Sequence, residues 1–289
     1  MQRNRGTLLA HTMGLGKTLQ VISVLITLSS VASDAKVEMT ESLRKDNRRF
    51  LVVCPPTIVD NWKNEFNIWT PHECKEALGH VVTVSQLDKR DQGLIKIRRW
   101  FNEGGVLILG YNLFRTLLTA KNTAPEAIEQ RRKWLINPGA DIVVADEAHL
   151  IKNPKALIGG LFSQIKTGSR IATTGSPLSN HLEEYYWMME WINPGFLGSL
   201  RKFKTQYITP IKTGLYQDST SGQRRVSTLL LDSIIANPGK GISKTAGTAQ
   251  SSAGQENPSQ GYQCNPGRSA TKNRVCVNCA PDGAPTKAL

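Results

Sequence analysis

Two short stretches of the chain carry side chains whose types and spacing suit a phosphorylated ligand. The first is GLGKT, Gly14 to Thr18, set between a strand-like run at 7–10 (TLLA) and a helical pattern starting near Lys17. Gly14 and Gly16 let the backbone curl so that its N–H groups converge, and the start of the helix adds the positive end of its dipole. Lys17 is then placed to reach β and γ phosphates, and the Thr18 hydroxyl to ligate Mg²⁺. The strict phosphate-loop pattern asks for glycine where His11 stands, so an incidental lysine in a tight strand-to-helix turn is the competing reading.

The second stretch is DIVVADEAHLIKN, residues 141–153, where an apolar strand ends in two adjacent carboxylates. The ligand crevice of an open parallel sheet lies at such strand ends. There Asp146 can hold Mg²⁺ through water, and Glu147 can orient or deprotonate an attacking water. A pair of acids stabilising a helix N-terminus is the plainer alternative. A third stretch, RIATTGSPLSN from 170 to 180, puts the hydroxyls of Thr173, Thr174 and Ser176 around a Gly-Pro turn at another strand end, near the place where the γ phosphate and the carboxylates should meet.

These groups need a scaffold that brings strand ends together, and the hydropathy pattern supplies one. Short apolar runs occur at 7–10, 50–54, 80–85, 105–110, 141–145 and 170–175, each nearly continuous in the way of parallel strands buried on both faces. Helical patterns follow at 17–29, 57–68, 91–102, 111–120, 155–166 and 182–191. Such alternation predicts an α/β domain with a mostly parallel sheet and helices on both faces. The charged inserts 33–49 and 121–138 are expected on the surface, adding no strand. In the helical pattern that begins at 57, Trp62, Phe66 and Trp69 read as a core-facing stripe rather than base-stacking residues, while Lys63 reads equally as solvated or as a phosphate contact.

Apolar patterning places the folded unit at 1–225. Residues 226–289 form a low-complexity tail, rich in Gly, Pro, Ser, Ala and Thr from about 236, and disorder is expected because it has little apolar surface to offset ordering entropy. Cys264, Cys276 and Cys279 in that tail offer three thiolates but no nearby fourth zinc ligand, which favours unpaired cysteines. Five cysteines without disulfide-like spacing point to a reducing compartment. No apolar run reaches the about 18 residues of a membrane span and no signal-peptide pattern opens the chain, so it reads as soluble. A formal charge of +13 favours a polyanion such as nucleic acid, the alternative being a basic surface that serves solubility.

Taken in order, LLAHTMGLGKTLQVIS, LVVCPPTIVDNWKNEF, GVLILGYNLF, VVADEAHLIKN and ATTGSPLSNHLEEYYWMMEWINPGFLGS resemble the first RecA-like lobe of the Swi/Snf-type ATPases, a branch of the superfamily 2 helicase-like proteins. HTMGLGKT in place of the commoner DDMGLGKT is similar to the ATRX and Rad-type translocases, which makes His11 a subgroup feature. The resemblance spans 6 to about 220 and implies an ATP-driven motor on double-stranded DNA, acting in chromatin remodelling or repair in the nucleus, with the protein partners of a remodelling complex. It also implies that His11, Thr12, Met13, Gly14, Leu15, Gly16, Lys17 and Thr18 bind ATP together with Thr174 and Gly175. Thr18 and Asp146 would hold Mg²⁺, and Lys17, Asp146 and Glu147 would act in hydrolysis of the DEAH-box kind. Pro55, Thr57, Asn61 and Tyr111 would lie at the DNA backbone, although Pro55 to Thr57 also suit a plain helix start.

Departures from that family pattern shape the expectation. Nothing after residue 225 resembles the second lobe that supplies an arginine finger, and only MQRNRG precedes the first strand, where relatives carry an adenine-recognising segment. A lone lobe should turn over ATP very slowly, because such fingers contribute about 10³ to 10⁵ in rate. A truncated or misread gene product would fit this, as would a catalytically inactive fragment that binds DNA or a partner. The DEAH sequence raises an RNA helicase as a further reading, against which GSPLSNHLEEYYW and PPTIVDNWKNEF resemble the double-stranded DNA branch.

Overall fold

The computed structural model describes residues 6–10, 14–33, 48–85, 88, 90–120, 123–151, 153–154, 156–175 and 182–236. Six strands form one sheet: β1 (Thr7–Leu9), β2 (Arg49–Cys54), β3 (Val81–Val84), β4 (Gly105–Gly110), β5 (Ile142–Ala145) and β6 (Arg170–Thr173). They lie in the order β1-β6-β5-β2-β4-β3, and every pairing is parallel. β2, β4 and β5 are buried along their whole length, whereas the edge strands β1 and β3 are only partly so. That is why the central runs are continuously apolar in sequence: both faces are covered.

Alternation along each strand sorts the core into two layers. Phe50, Val52 and Cys54 of β2, with Val106 and Ile108 of β4, pack under α1 (Lys17–Ser33), α2 (Val59–Trp69) and α3 (Lys75–Leu78). Leu51, Val53, Leu107 and Leu109 face the other way. They meet α4 (Arg90–Glu103), α5 (Tyr111–Thr119), α6 (Pro125–Leu135), α7 (Leu157–Ser163) and α8 (Leu182–Ile192). Beyond α8 the chain adds α9 (Leu200–Phe203), a π turn at Lys204–Ile208, α10 (Thr209–Leu215) and α11 (Ser221–Ala236), so helix continues across residue 225.

Two expectations are corrected here. The insert 121–138 meets solvent along only one face: α6 buries Arg131, Trp134 and Leu135, and Arg131 donates to Leu117 C=O at 3.2 Å. Its polar letters hide a helix with one apolar face, anchored by a guanidinium that satisfies a buried carbonyl. The aromatic stripe of α2 is also shorter than expected. Trp62 and Phe66 are each 1% exposed, but Trp69 is 47% exposed at the helix end, its indole donating to Glu65 at 2.7 Å. The tail from 237 onward, with its three cysteines, and most of the insert 33–49 lie outside the described residues.

Candidate nucleotide-binding edge

Because all six strands run parallel, their carboxyl ends share one edge of the sheet. The glycine loop follows β1, Pro55 to Thr57 follow β2, Tyr111 follows β4, Asp146 and Glu147 follow β5, and Thr174 and Gly175 follow β6. Residues scattered over 160 positions are thus assembled by topology alone.

The loop half of the edge is open. Gly14 and Gly16 have φ of 81° and 68°, left-handed values that favour glycine, and among the described residues no atom beyond the chain neighbours lies within 4 Å of where a Cβ would stand on either. Gln20 N–H donates to Gly16 C=O at 3.0 Å, which makes Gly16 the residue capping α1. The first turn of α1 contains no acidic residue, so its outward N–H groups and positive dipole end are not offset by a carboxylate of that turn. Lys17 and Thr18 sit half-buried in that turn. His11, Thr12 and Met13 lie outside the described residues.

The carboxylate half is closed around Asp146. Asp146 is 8% exposed. Its Oδ2 accepts the indole N–H of Trp62 at 2.8 Å, and its Oδ1 accepts the Thr173 hydroxyl and the Glu147 backbone N–H, the latter at 3.0 Å. Its backbone N–H donates to Val53 C=O at 2.9 Å and its C=O accepts the Tyr111 hydroxyl at 2.8 Å. Three donors on the carboxylate leave about one of its four lone-pair positions for a ligand. Glu147 has a φ of 50°, the one positive value on a non-glycine among the described residues, and such conformations cluster at functional sites. Its Oε2 lies 3.2 Å from His149 Nδ1 and 3.5 Å from the Gly175 N–H, so it reaches toward the end of β6. Burial, aided by the nearby Asp146 charge, holds the Cys54 thiol and the Tyr111 phenol neutral, both shifted up from their ordinary ranges.

The oxygen donors present fit Mg²⁺. A hydroxyl at Thr18 and a carboxylate at Asp146 are hard ligands, and Mg²⁺ takes one or two protein oxygens with phosphate and water completing its shell. No group of three or more His, Cys, Asp or Glu residues suited to a softer or self-contained metal site occurs among the described residues.

Other expected site residues divide by burial. Thr57 and Asn61 are exposed at the end of β2 and the start of α2, and Pro55 is half-buried beside them. A 3-10 turn at Pro56–Ile58 leads into α2 without a side-chain cap. Tyr111 is buried: it is 6% exposed and its hydroxyl donates to Asp146 C=O, so its side chain is turned into the core. Thr174 is fully buried, and its N–H ties β6 to β1 through Leu9 C=O at 3.1 Å. Thr173 spends its hydroxyl on Asp146 rather than facing a phosphate. The role of Trp62 was missed in the sequence; the available signal was that a buried indole needs an acceptor. A separate cleft of about 550 Å³, lined by Asn153, Leu182, Glu183, Trp187, Lys204 and Lys212 among others, includes none of these residues.

A parallel six-stranded sheet with a glycine loop after the first strand and paired carboxylates after the fifth defines a RecA-like P-loop lobe. The chain belongs to the SNF2-related domain family, whose model matches residues 1–245. It is 37% identical over 223 residues to the Drosophila melanogaster transcriptional regulator ATRX homolog, covering 76% of this chain and 16% of that protein. To human transcriptional regulator ATRX it is 36% identical over 222 residues, or 76% of this chain and 8% of that one. Among solved structures, the Sulfolobus solfataricus SWI2/SNF2 ATPase core in complex with dsDNA aligns with a TM-score of 0.50 and 25% identity, over 79% of this chain and 39% of that chain. The chain therefore spans a small part of the curated relatives it matches.

Proposed function

We propose that this chain is the ATP-binding lobe of a double-stranded-DNA-dependent ATPase of the ATRX-like kind, serving chromatin remodelling or DNA repair in the nucleus, in company with remodelling-complex proteins. The observation that carries the reading is the placement of Asp146 and Glu147 on the same sheet edge as the Gly14–Thr18 loop. In this reading the loop N–H groups and Lys17 bind the phosphates, and Thr18 and Asp146 hold Mg²⁺. Bound Mg²⁺ would neutralise phosphate charge, while Glu147 orients water and Asp146 is kept in one rotamer by Trp62 and Thr173.

Support for a duplex partner comes from the +13 charge, the exposed Thr57, Asn61 and Lys63 beside the edge, and the solved relative's complex with dsDNA. Backbone contacts of this type give affinity without sequence preference. For the 289-residue chain by itself we infer binding with little turnover, since the solved core it resembles is more than twice its matched length. Among the described residues no helix is long and apolar enough to cross a membrane.

The test is phosphate release and nucleic-acid binding by the chain, with duplex DNA and duplex RNA in parallel. Preference for DNA, with affinity falling steeply as salt rises, is expected. Equal or stronger binding to RNA would replace this reading by an RNA-helicase one. Fast DNA-stimulated turnover would overturn the inference that the chain mainly binds.

A further inference from the structure

Asp146 is held by two helices that each begin at the same sheet edge. α2 carries the exposed Asn61 and Lys63 on either side of Trp62, which is 1% exposed and donates to Asp146 Oδ2 at 2.8 Å. α5 opens with Tyr111, whose hydroxyl donates to Asp146 C=O at 2.8 Å, and the next residue, Asn112, is exposed. One residue therefore has its side chain tied to α2 and to β6, through Thr173, and its backbone tied to α5. Thr173 precedes Thr174 and Gly175, and Gly175 N–H lies 3.5 Å from Glu147 Oε2.

The chemistry of these donors is specific. Phenylalanine would fill the volume of the tyrosine and most of that of the tryptophan yet donate nothing, and the packing of Trp62 on Phe66, with ring centroids 6.1 Å apart, does not need the indole nitrogen. An indole N–H reaching a buried carboxylate is a directional contact that weakens steeply as it bends or lengthens. A small displacement of α2 or α5 thus changes how firmly the carboxylate is aimed.

The geometry points to Asp146 as the joint between duplex contact and nucleotide binding, with Trp62 and Tyr111 as positioning residues that transmit the position of α2 and α5 to it. This rests on the proposed ATP- and DNA-binding function. A polyanion that pulls on the exposed residues of α2 and the start of α5 sets the helix positions, and these set the aim of the Asp146 carboxylate. Linkage makes the effect reciprocal: whatever factor duplex DNA applies to nucleotide affinity, nucleotide applies to DNA affinity.

The test measures the dissociation constant of a fluorescent Mg-ATP analogue for the full 289-residue chain, with and without saturating duplex DNA. The ratio of the two constants is the coupling factor. For the unaltered chain it should be about 5 or more, the lower end of ordinary allosteric coupling. In Trp62→Phe and, independently, in Tyr111→Phe the ratio should fall toward 1 while each ligand still binds by itself. A merely structural role would weaken both constants and lower the melting midpoint but leave the ratio unchanged, and that result overturns the proposal. A ratio of 1 in the unaltered chain that binds both ligands also overturns it while sparing the proposed function; failure to bind Mg-nucleotide at all removes both.

Discussion

The two halves of the candidate site are built in opposite ways. Around Asp146 every polar atom has a protein partner, contributed by α2, α5, β6 and the next residue of its own strand end. Around Gly14 and Gly16 no described residue occupies the space a side chain would take, and the conformation rests on left-handed glycines and a helix whose first turn carries no acid. The closed half is aimed by the fold itself; in the proposed reading the open half offers its backbone N–H groups to an anion. A site of this design fixes the orientation of its reactive carboxylates through the core and leaves room for a bulky polyphosphate on the other side.

The contrast predicts that substitutions in the closed half cost stability, whereas those in the open half cost binding. Asp146→Ala strands the Trp62 indole and the Thr173 hydroxyl in the core, and chemical denaturation should show a loss of about 3 kcal/mol. Tyr111→Phe removes one hydroxyl donor and should cost about 1.5 kcal/mol. The same variant has a pH signature. Burial holds the Tyr111 phenol neutral in the fold, so the unfolded chain releases that proton first, from about pH 10. Stability is fully present below that pH and is lost as pH rises above it, and Tyr111→Phe should flatten this alkaline arm. Cys54, also raised by burial, starts a similar loss near pH 8.5 that remains in the variant.

Gly16→Ala tests the other side. Its left-handed backbone makes alanine cost about 1 kcal/mol in stability, but Mg-nucleotide affinity should drop by about tenfold or more, since the loop must keep this curl to present its N–H groups. If Gly16→Ala unfolds the lobe while Asp146→Ala leaves it intact, the contrast is inverted and fails. The smallest effect belongs to a pair just after β3, at the opposite end of the strand order from the glycine loop. Asp88 bonds Lys96 at 2.7 Å and caps the Ser85 N–H, contacts that lower its pKa, the Lys96 bond most. Asp88→Asn should cost about 0.5 kcal/mol near neutral pH. That difference is present above the unfolded value of about 3.9 and vanishes as pH falls through the lower folded value, with nucleotide affinity unchanged.

All six strands were legible to within a residue or two, because a strand buried on both faces writes its environment as an unbroken apolar run. The placement of the loop and the carboxylate pair was legible for a related reason: each is a run of adjacent residues that follows an apolar strand. α6 was not, since its buried Arg131 and Trp134 sit among charged letters and a guanidinium inside the core looks like a surface residue in sequence. Nor was the wiring of Asp146. Trp62 lies 84 positions away and Tyr111 lies 35 away, and nothing local to either names its acceptor. The resemblance suggested DNA contact at Tyr111, and burial of that side chain in the interior could not be read from the sequence around it.

The central claim is that the glycine loop and the carboxylates form one Mg-nucleotide site. Its most direct test is the melting midpoint of the 289-residue chain with Mg-ATP, compared with ATP in excess EDTA, in the unaltered chain and in Lys17→Ala. At ten times the dissociation constant, Mg-ATP should raise the midpoint by about 4 °C. Removing the metal should shrink the rise, and Lys17→Ala should abolish it. An unchanged midpoint at saturating Mg-ATP, or a rise that survives in Lys17→Ala, would contradict the account.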